Sequence, residues 1–183
     1  MTARPHALAV GTSGMLAGAC RGLAERGWQV TMVARARRKL DAAIAGTPHL
    51  WPAPVDYRDA TAFDTAVKDA IARAGPVRLA LCWIRGTAPD ALTATAAVVV
   101  DGGRVVHVLG SAGGRHPSTL GSGALLAQDR VRYQRVVLGF VVESGRSRWL
   151  TDAEISAGAL AAIDDSALDP HVVGQVEPWH ARP

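Results

Sequence analysis

Cysteine, lysine and long apolar runs are scarce in this sequence, and each shortage excludes something. Two cysteines, Cys20 and Cys82, cannot build the disulfide framework of a small secreted domain, and neither has a second Cys or a His at zinc-ligand spacing. A reducing compartment, the cytoplasm, is therefore the expected location. No window reaches the ~18 consecutive apolar residues of a membrane span; the longest candidates, Ala94–Val100 and Val136–Val142, fall far short, and no membrane partner is expected. The stretch from Arg4 to Cys20 loosely imitates an export signal, but Gly11, Thr12, Ser13 and Gly14 interrupt its apolar part, so it is read as folded structure. Lysine occurs only at Lys39 and Lys68, which leaves nearly all the positive charge to arginine. Basic residues cluster only over Arg35–Lys39 and Arg130–Arg135, too little for a nucleic-acid face.

What remains is a chain of 183 residues with 49% apolar and 20% charged residues. That length fits one domain, and that composition buries a substantial core. Apolar runs of strand length alternate with stretches of helical period. Strands are expected over His6–Val10, Gln29–Ala34, Trp51–Val55, Val77–Ile84, Arg104–Leu109, Val131–Val142 and Val172–Val176. Helices are expected over Met15–Arg26, Arg37–Ala45, Ala60–Ala74 and Ala88–Val100, and in a last one that opens on a capping box, Thr151 with Glu154, and runs through Ile163. Continuous apolar strands are those of a parallel sheet covered on both faces. The expected fold is thus α/β: a doubly wound parallel sheet of about six or seven strands with helices on both sides, in one domain spanning residues 1–183. One segment breaks the rhythm: residues 111–129 carry Gly113, Gly114, Pro117, Gly121 and Gly123 where a crossover helix would stand. A glycine-rich loop at a strand's carboxyl end is where such sheets bind ligands, although it equally suits a plain surface connection.

The segment Gly11–Gly18, GTSGMLAG, joins the first strand to the first helix. Glycines there let the chain turn sharply and let a pyrophosphate reach main-chain N–H groups at the helix N-terminus. Small residues would also simply let the helix pack on the sheet. Placement at the first strand–helix turn favours the dinucleotide reading, with Gly11, Thr12, Ser13, Gly14, Met15 and Leu16 as the cradle. The second strand indicates which dinucleotide. An NAD site places a carboxylate at that strand's end to bind the ribose 2′-hydroxyl. Here no acidic residue occurs between Glu25 and Asp41; Ala34 stands at the position, followed by Arg35, Arg37, Arg38 and Lys39. Guanidinium groups suit a 2′-phosphate, so NADP(H) is the expected cofactor, held in part by Arg35 and Arg38. Asp56, directly after the third strand, is placed either to accept from an adenine amino group or to begin the next turn.

These residues resemble the short-chain dehydrogenase/reductase family. The Gly11–Gly18 segment is similar to the GxxGxxG of its atypical members, with Ala17 at the third glycine. Val33–Leu40 is similar to NADP-preferring members, and Val55 with Asp56 to their adenine-contacting dipeptide. Arg148–Ile163 resembles the family's closing helix, and Val172–Trp179 its last strand. The departures are as informative. Trp83, Ile84, Arg85 and Gly86 occupy the place of the family's Asn-Ala-Gly, which puts Trp83 beside the cofactor. The YxxxK pair is missing near Tyr133, because Val137 stands four residues later. The helix that carries that pair is expected to be replaced by the 111–129 loop, with the substrate loop after strand six also lost.

The resemblance implies hydride transfer, in which the protein positions the nicotinamide and supplies a proton. Four side chains are candidates for that work: Ser111, His116, Arg85 and, inside the sixth strand, Tyr133. His116 has the pKa range for acid or base duty, although a lone His on such a loop is also commonly just solvated, and Ser111 can instead cap a turn. His107 is expected inside the fifth strand. The reading is an NADP(H)-dependent oxidoreductase of a small imine, enone or carbonyl compound. Alternatives are a non-catalytic NADP(H)-binding redox sensor, or a cofactor-free lyase or cyclase. No metal is expected, and a homo-oligomer is compatible with exposed edges or faces.

Overall fold

The computed structural model describes residues 4–111 and 130–183. The chain alternates strand and helix: β1 (His6–Val10), α1 (Ala17–Glu25), β2 (Gln29–Ala34), α2 (Arg37–Ile44), β3 (Leu50–Pro54), α3 (Ala60–Ala74), β4 (Val77–Cys82), α4 (Pro89–Ala97) and β5 (Val99–Gly110). After residue 129 come β6 (Arg132–Leu138), β7 (Phe140–Glu143), β8 (Arg146–Trp149), α5 (Asp152–Asp164) and β9 (His171–Val173). Seven of the strands form one sheet in the order β3-β2-β1-β4-β5-β6-β9, every neighbouring pair parallel. This is the doubly wound α/β architecture that the alternating pattern predicts.

Side-chain alternation along the strands divides the core in two. Ala7 and Ala9 of β1 face α1, α2 and α5, where Leu16, Leu23, Leu40, Ile155 and Ala159 are buried. Leu8 and Val10 face α3 and α4, against Phe63, Val67, Leu92 and Ala96. His6 is a satisfied core residue: Nδ1 donates to the Gly75 carbonyl at 2.8 Å, and Nε2 accepts from the Thr31 hydroxyl at 3.0 Å. Helix boundaries follow from capping. Asp59 accepts from the N–H of Ala62 and opens α3, and Thr151 with Glu154 forms the expected box on α5. Arginine secures both ends of α5. Arg148 holds Glu154 (2.8 Å) and Glu143 (2.7 Å), and Arg104 of β5 donates to the carbonyls of Ile163 (2.7 Å) and Ala162 (3.2 Å).

Four boundaries differ most from the sequence expectation. The helix expected over Ala88–Val100 stops at Ala97, because Val99 joins β5 and pairs with Val77. The strand expected over Val131–Val142 ends at Leu138. The Gly139 N–H donates to the Val173 carbonyl at 2.9 Å, Phe140 pairs antiparallel with Gln175, and a Cβ on Gly139 would collide with the Gln175 main chain. The chain then forms the β7–β8 hairpin, a short antiparallel pair that leads from β6 to α5. Arg148, expected at the start of the closing helix, belongs to β8. The last strand covers His171–Val173 instead of Val172–Val176.

Candidate functional site

The strand order reverses direction between β1 and β4, so their carboxyl ends open a crevice that connecting segments do not fill; ligands bind at this place in open α/β sheets. Gly11 makes the turn out of β1 with φ +75°, and a Cβ there would collide with the Trp83 carbonyl. Only glycine combines that backbone with that approach. Its N–H donates to Val33 of β2, and the next turn closes with the Ala17 N–H on the Gly14 carbonyl. Between those bonds, the main-chain N–H groups of Ser13, Gly14 and Met15 have no acceptor among the described residues. Helix α1 follows with no side-chain cap and no acidic residue in its first turn. Unpaired donors and the positive end of the helix therefore point at the same place, an arrangement that favours an anion.

A cleft of about 200 Å³ lies beside this turn. Gly11, Ser13, Arg35, Lys39 and Arg85 line it together with Tyr57 and Trp83, and no carboxylate lines it among the described residues. Arg35 also lacks a carboxylate partner there. Asp56, its neighbour, gives both oxygens to Arg58 at 3.0 and 2.6 Å and one to the Arg58 N–H. Hydrogen bonds from the Arg58 side chain hold the Asp56 carboxyl down to about 2. Asp56 thus begins a turn, the second of its two expected roles. Arg37 is likewise occupied, by Asp41 one turn along α2 at 2.8 Å.

The structure places four of the ten expected cofactor residues on this cleft. Gly11, Ser13, Arg35 and Trp83 line the cleft, and so does Arg85, one of the expected catalytic candidates. Arg38 does not line it; Lys39, one residue on, does. The Leu16 side chain is wholly buried in the core and the Thr12 hydroxyl donates to the Ala9 carbonyl, so each has only main-chain groups to offer a ligand. Met15 packs on the core, its carbonyl accepting from Ser156 at 2.8 Å. Tyr57 was not legible as a lining residue. Its one sequence signal is that it follows Asp56 at the third strand's exit.

A second cleft, of about 300 Å³, opens at the carboxyl ends of β5 and β6. Ser111 stands at its rim with Gly110, Leu138 and Gly139, opposite Trp149, Leu150 and Ile155. Tyr133 does not reach it. In the β5–β6 register Tyr133 pairs with Val105, five residues before the pair formed by Leu138 and Gly110, roughly 16 Å down the strand. Its hydroxyl meets Nδ1 of the buried His107 at 2.8 Å, while Nε2 of that ring lies 3.2 Å from the Ile84 carbonyl. A carbonyl only accepts, so Nε2 carries the proton and Tyr133 donates to Nδ1. Burial pushes the His107 pKa down, which keeps the ring neutral. Its register and its bond to His107 thus keep Tyr133 away from Ser111 at the cleft rim, which corrects the expectation that the two share one centre. His116 lies outside the described residues, as do the loop glycines.

Fold and crevice together define a doubly wound α/β domain with an open switch point at the carboxyl ends of β1 and β4. Comparison with solved structures narrows this. The chain is similar to a short-chain dehydrogenase/reductase from Serratia marcescens, with TM-score 0.69 and 18% identity over 93% of this chain and 96% of that one. It is similar to a short-chain dehydrogenase from Bacillus anthracis at TM-score 0.72 and 12% identity, covering 93% and 94%. An actinorhodin polyketide ketoreductase variant with NADPH matches at TM-score 0.70 and 17% identity, covering 93% and 95%. At these identities the likeness is one of fold: the chain has the fold of the short-chain dehydrogenase/reductases. No protein-family model matches the sequence, and no curated protein does.

Proposed function

We propose that this protein is an NADP(H)-dependent oxidoreductase of short-chain dehydrogenase/reductase type that acts on a small organic molecule. One observation carries the reading: unpaired N–H groups after β1 and the unpaired Arg35, with Lys39 and Arg85, converge on one cleft that lacks any described carboxylate. A diphosphate fits those N–H donors, and a 2′-phosphate fits Arg35 and Lys39 where an NAD site would offer an acid. Tyr57 gives the same cleft an aromatic wall. The ketoreductase that shares the fold is described with NADPH.

When bound, the nicotinamide supplies the hydride. The second cleft, lined by Gly110, Leu138, Leu150 and Ile155, would receive the ring, and its apolar side chains would limit the water beside it. Ser111 is the one hydroxyl among the described lining residues, placed to bind a substrate oxygen or nitrogen. With Tyr133 committed to His107, the described residues bring no acid of neutral pKa there, which suits imines and conjugated enones better than ketones. The same commitment favours a second reading, a redox-sensing NADP(H) module without turnover.

Calorimetry with NADPH and NADH, followed by NADPH oxidation with panels of imines, enones and ketones, tests both. Saturable NADPH binding tighter than NADH, with turnover on one panel, is the expected result. Binding without turnover selects the sensor. Failure of either nucleotide to bind overturns the cofactor assignment.

A further inference from the structure

Trp83 stands where the two clefts would have to communicate. Its N–H donates to the Val10 carbonyl at 2.9 Å, which fixes its backbone beside the end of β1. Its carbonyl and Cβ lie against Gly11, the latter 3.6 Å from where a Gly11 Cβ would be. The far edge of the ring, Cη2, comes within 3.9 Å of a Cβ position on Gly110. The indole thus crosses the carboxyl ends of β1, β4 and β5, from the phosphate turn to the rim of the Ser111 cleft. It lines the first cleft and packs on the apolar core beneath α1 and α5. At about 200 and 300 Å³, the clefts are at or below the small end of the range, about 300–1,000 Å³, that drug-sized ligands fill.

We propose that Trp83 is a specificity gate: its indole closes the passage between the two clefts, so the first accepts the adenosine bisphosphate half of a dinucleotide and the second half enters only when the ring swings aside. This rests on the NADP(H) reading above. The ring is half-buried and joined to the main chain through two rotatable side-chain bonds, which are the bonds that opening would use. A site that is competent for only a fraction of the time binds more weakly by that fraction, here a penalty on the dinucleotide and none on its adenosine half.

The test compares adenosine 2′,5′-bisphosphate with NADPH on the wild type, Trp83→Ala and Trp83→Phe. A gate open about a tenth of the time predicts that NADPH binds about tenfold tighter to Trp83→Ala, with the bisphosphate unchanged within about twofold. Trp83→Phe, which keeps an aromatic ring in the core but shortens it, should fall between. In stopped flow, the wild-type NADPH rate should saturate with concentration, and that of Trp83→Ala should rise linearly. Weaker NADPH binding in both variants would make the indole a stacking platform and overturn the gate. Equal changes for both ligands, or none, would also overturn it. If the bisphosphate fails to bind even the wild type, the cofactor assignment falls, and the gate with it.

Discussion

Removing the Arg35 guanidinium should erode the preference for NADPH over NADH without abolishing binding. A hydrogen bond from a charged group contributes about 1.5–3 kcal/mol. Arg35 is exposed, so solvent screening lowers the expected share to about 1–2 kcal/mol, a factor of roughly 5–30. Asp56 acts on Arg35 only through space, since Arg58 takes its oxygens, and Lys39 remains in the cleft and limits the loss. Arg35→Ala should therefore raise the NADPH Kd by about 5–30-fold and the NADH Kd by under about twofold, read by calorimetry at pH 7.5 and low salt. Raising the salt should shrink the wild-type preference, as a partly exposed charge contact requires. Arg37→Ala is the internal control: two residues along the chain and paired with Asp41, it should leave the preference intact. Equal losses for both nucleotides, or an Arg37→Ala effect as large as that of Arg35→Ala, would refute the assignment.

Other consequences are as direct. Thr151→Ala removes the N-cap of α5 and should cost about 1 kcal/mol, seen as a Tm lower by roughly 2–4 °C; an unchanged Tm would contradict the capping geometry. Burial holds His107 below its ordinary 6.5, so the unfolded chain binds a proton there that the folded one resists. Stability should be full above about pH 6.5 and fall as the pH drops below it. Urea midpoints at pH 8 and 5.5 should show a larger drop in the wild type than in His107→Gln, and equal drops would exclude the buried ring as a cause. Burial pushes the Cys20 thiol up to about 12 and raises Cys82 as well, so neither should react with a thiol reagent in the native state and both should in urea. Rapid native modification of either would disprove its enclosure.

Where local chemistry decides structure, the sequence was sufficient. β2 at Gln29–Ala34 and α3 at Ala60–Ala74 have the expected bounds, the first from an apolar run between Trp28 and Arg35, the second from an Asp cap and a Gly stop. The errors come from partners distant along the chain. Nothing in Val131–Val142 announces that Gly139 bonds Val173 and that Phe140 turns to meet Gln175. Tyr133 looks like a catalytic candidate until His107, paired to β6 across the sheet, is seen to accept its proton. Arg38 and Lys39 are interchangeable as letters, and only the phase of α2 selects the lysine. The turn after β1 was readable because its shape resides in the main chain, which glycine spacing controls directly.

The two arginine anchors of α5 also bear on how the molecule can move. With Arg148 gripping its first turn and Arg104 its last carbonyls, the helix resembles a beam pinned at both supports. The side that it and Leu150 provide beside Ser111 is thus tied down at both ends of the helix. Admission and release of ligand then fall to the other bank of the crevice, where no such arginine anchor holds the Trp83 side chain among the described residues.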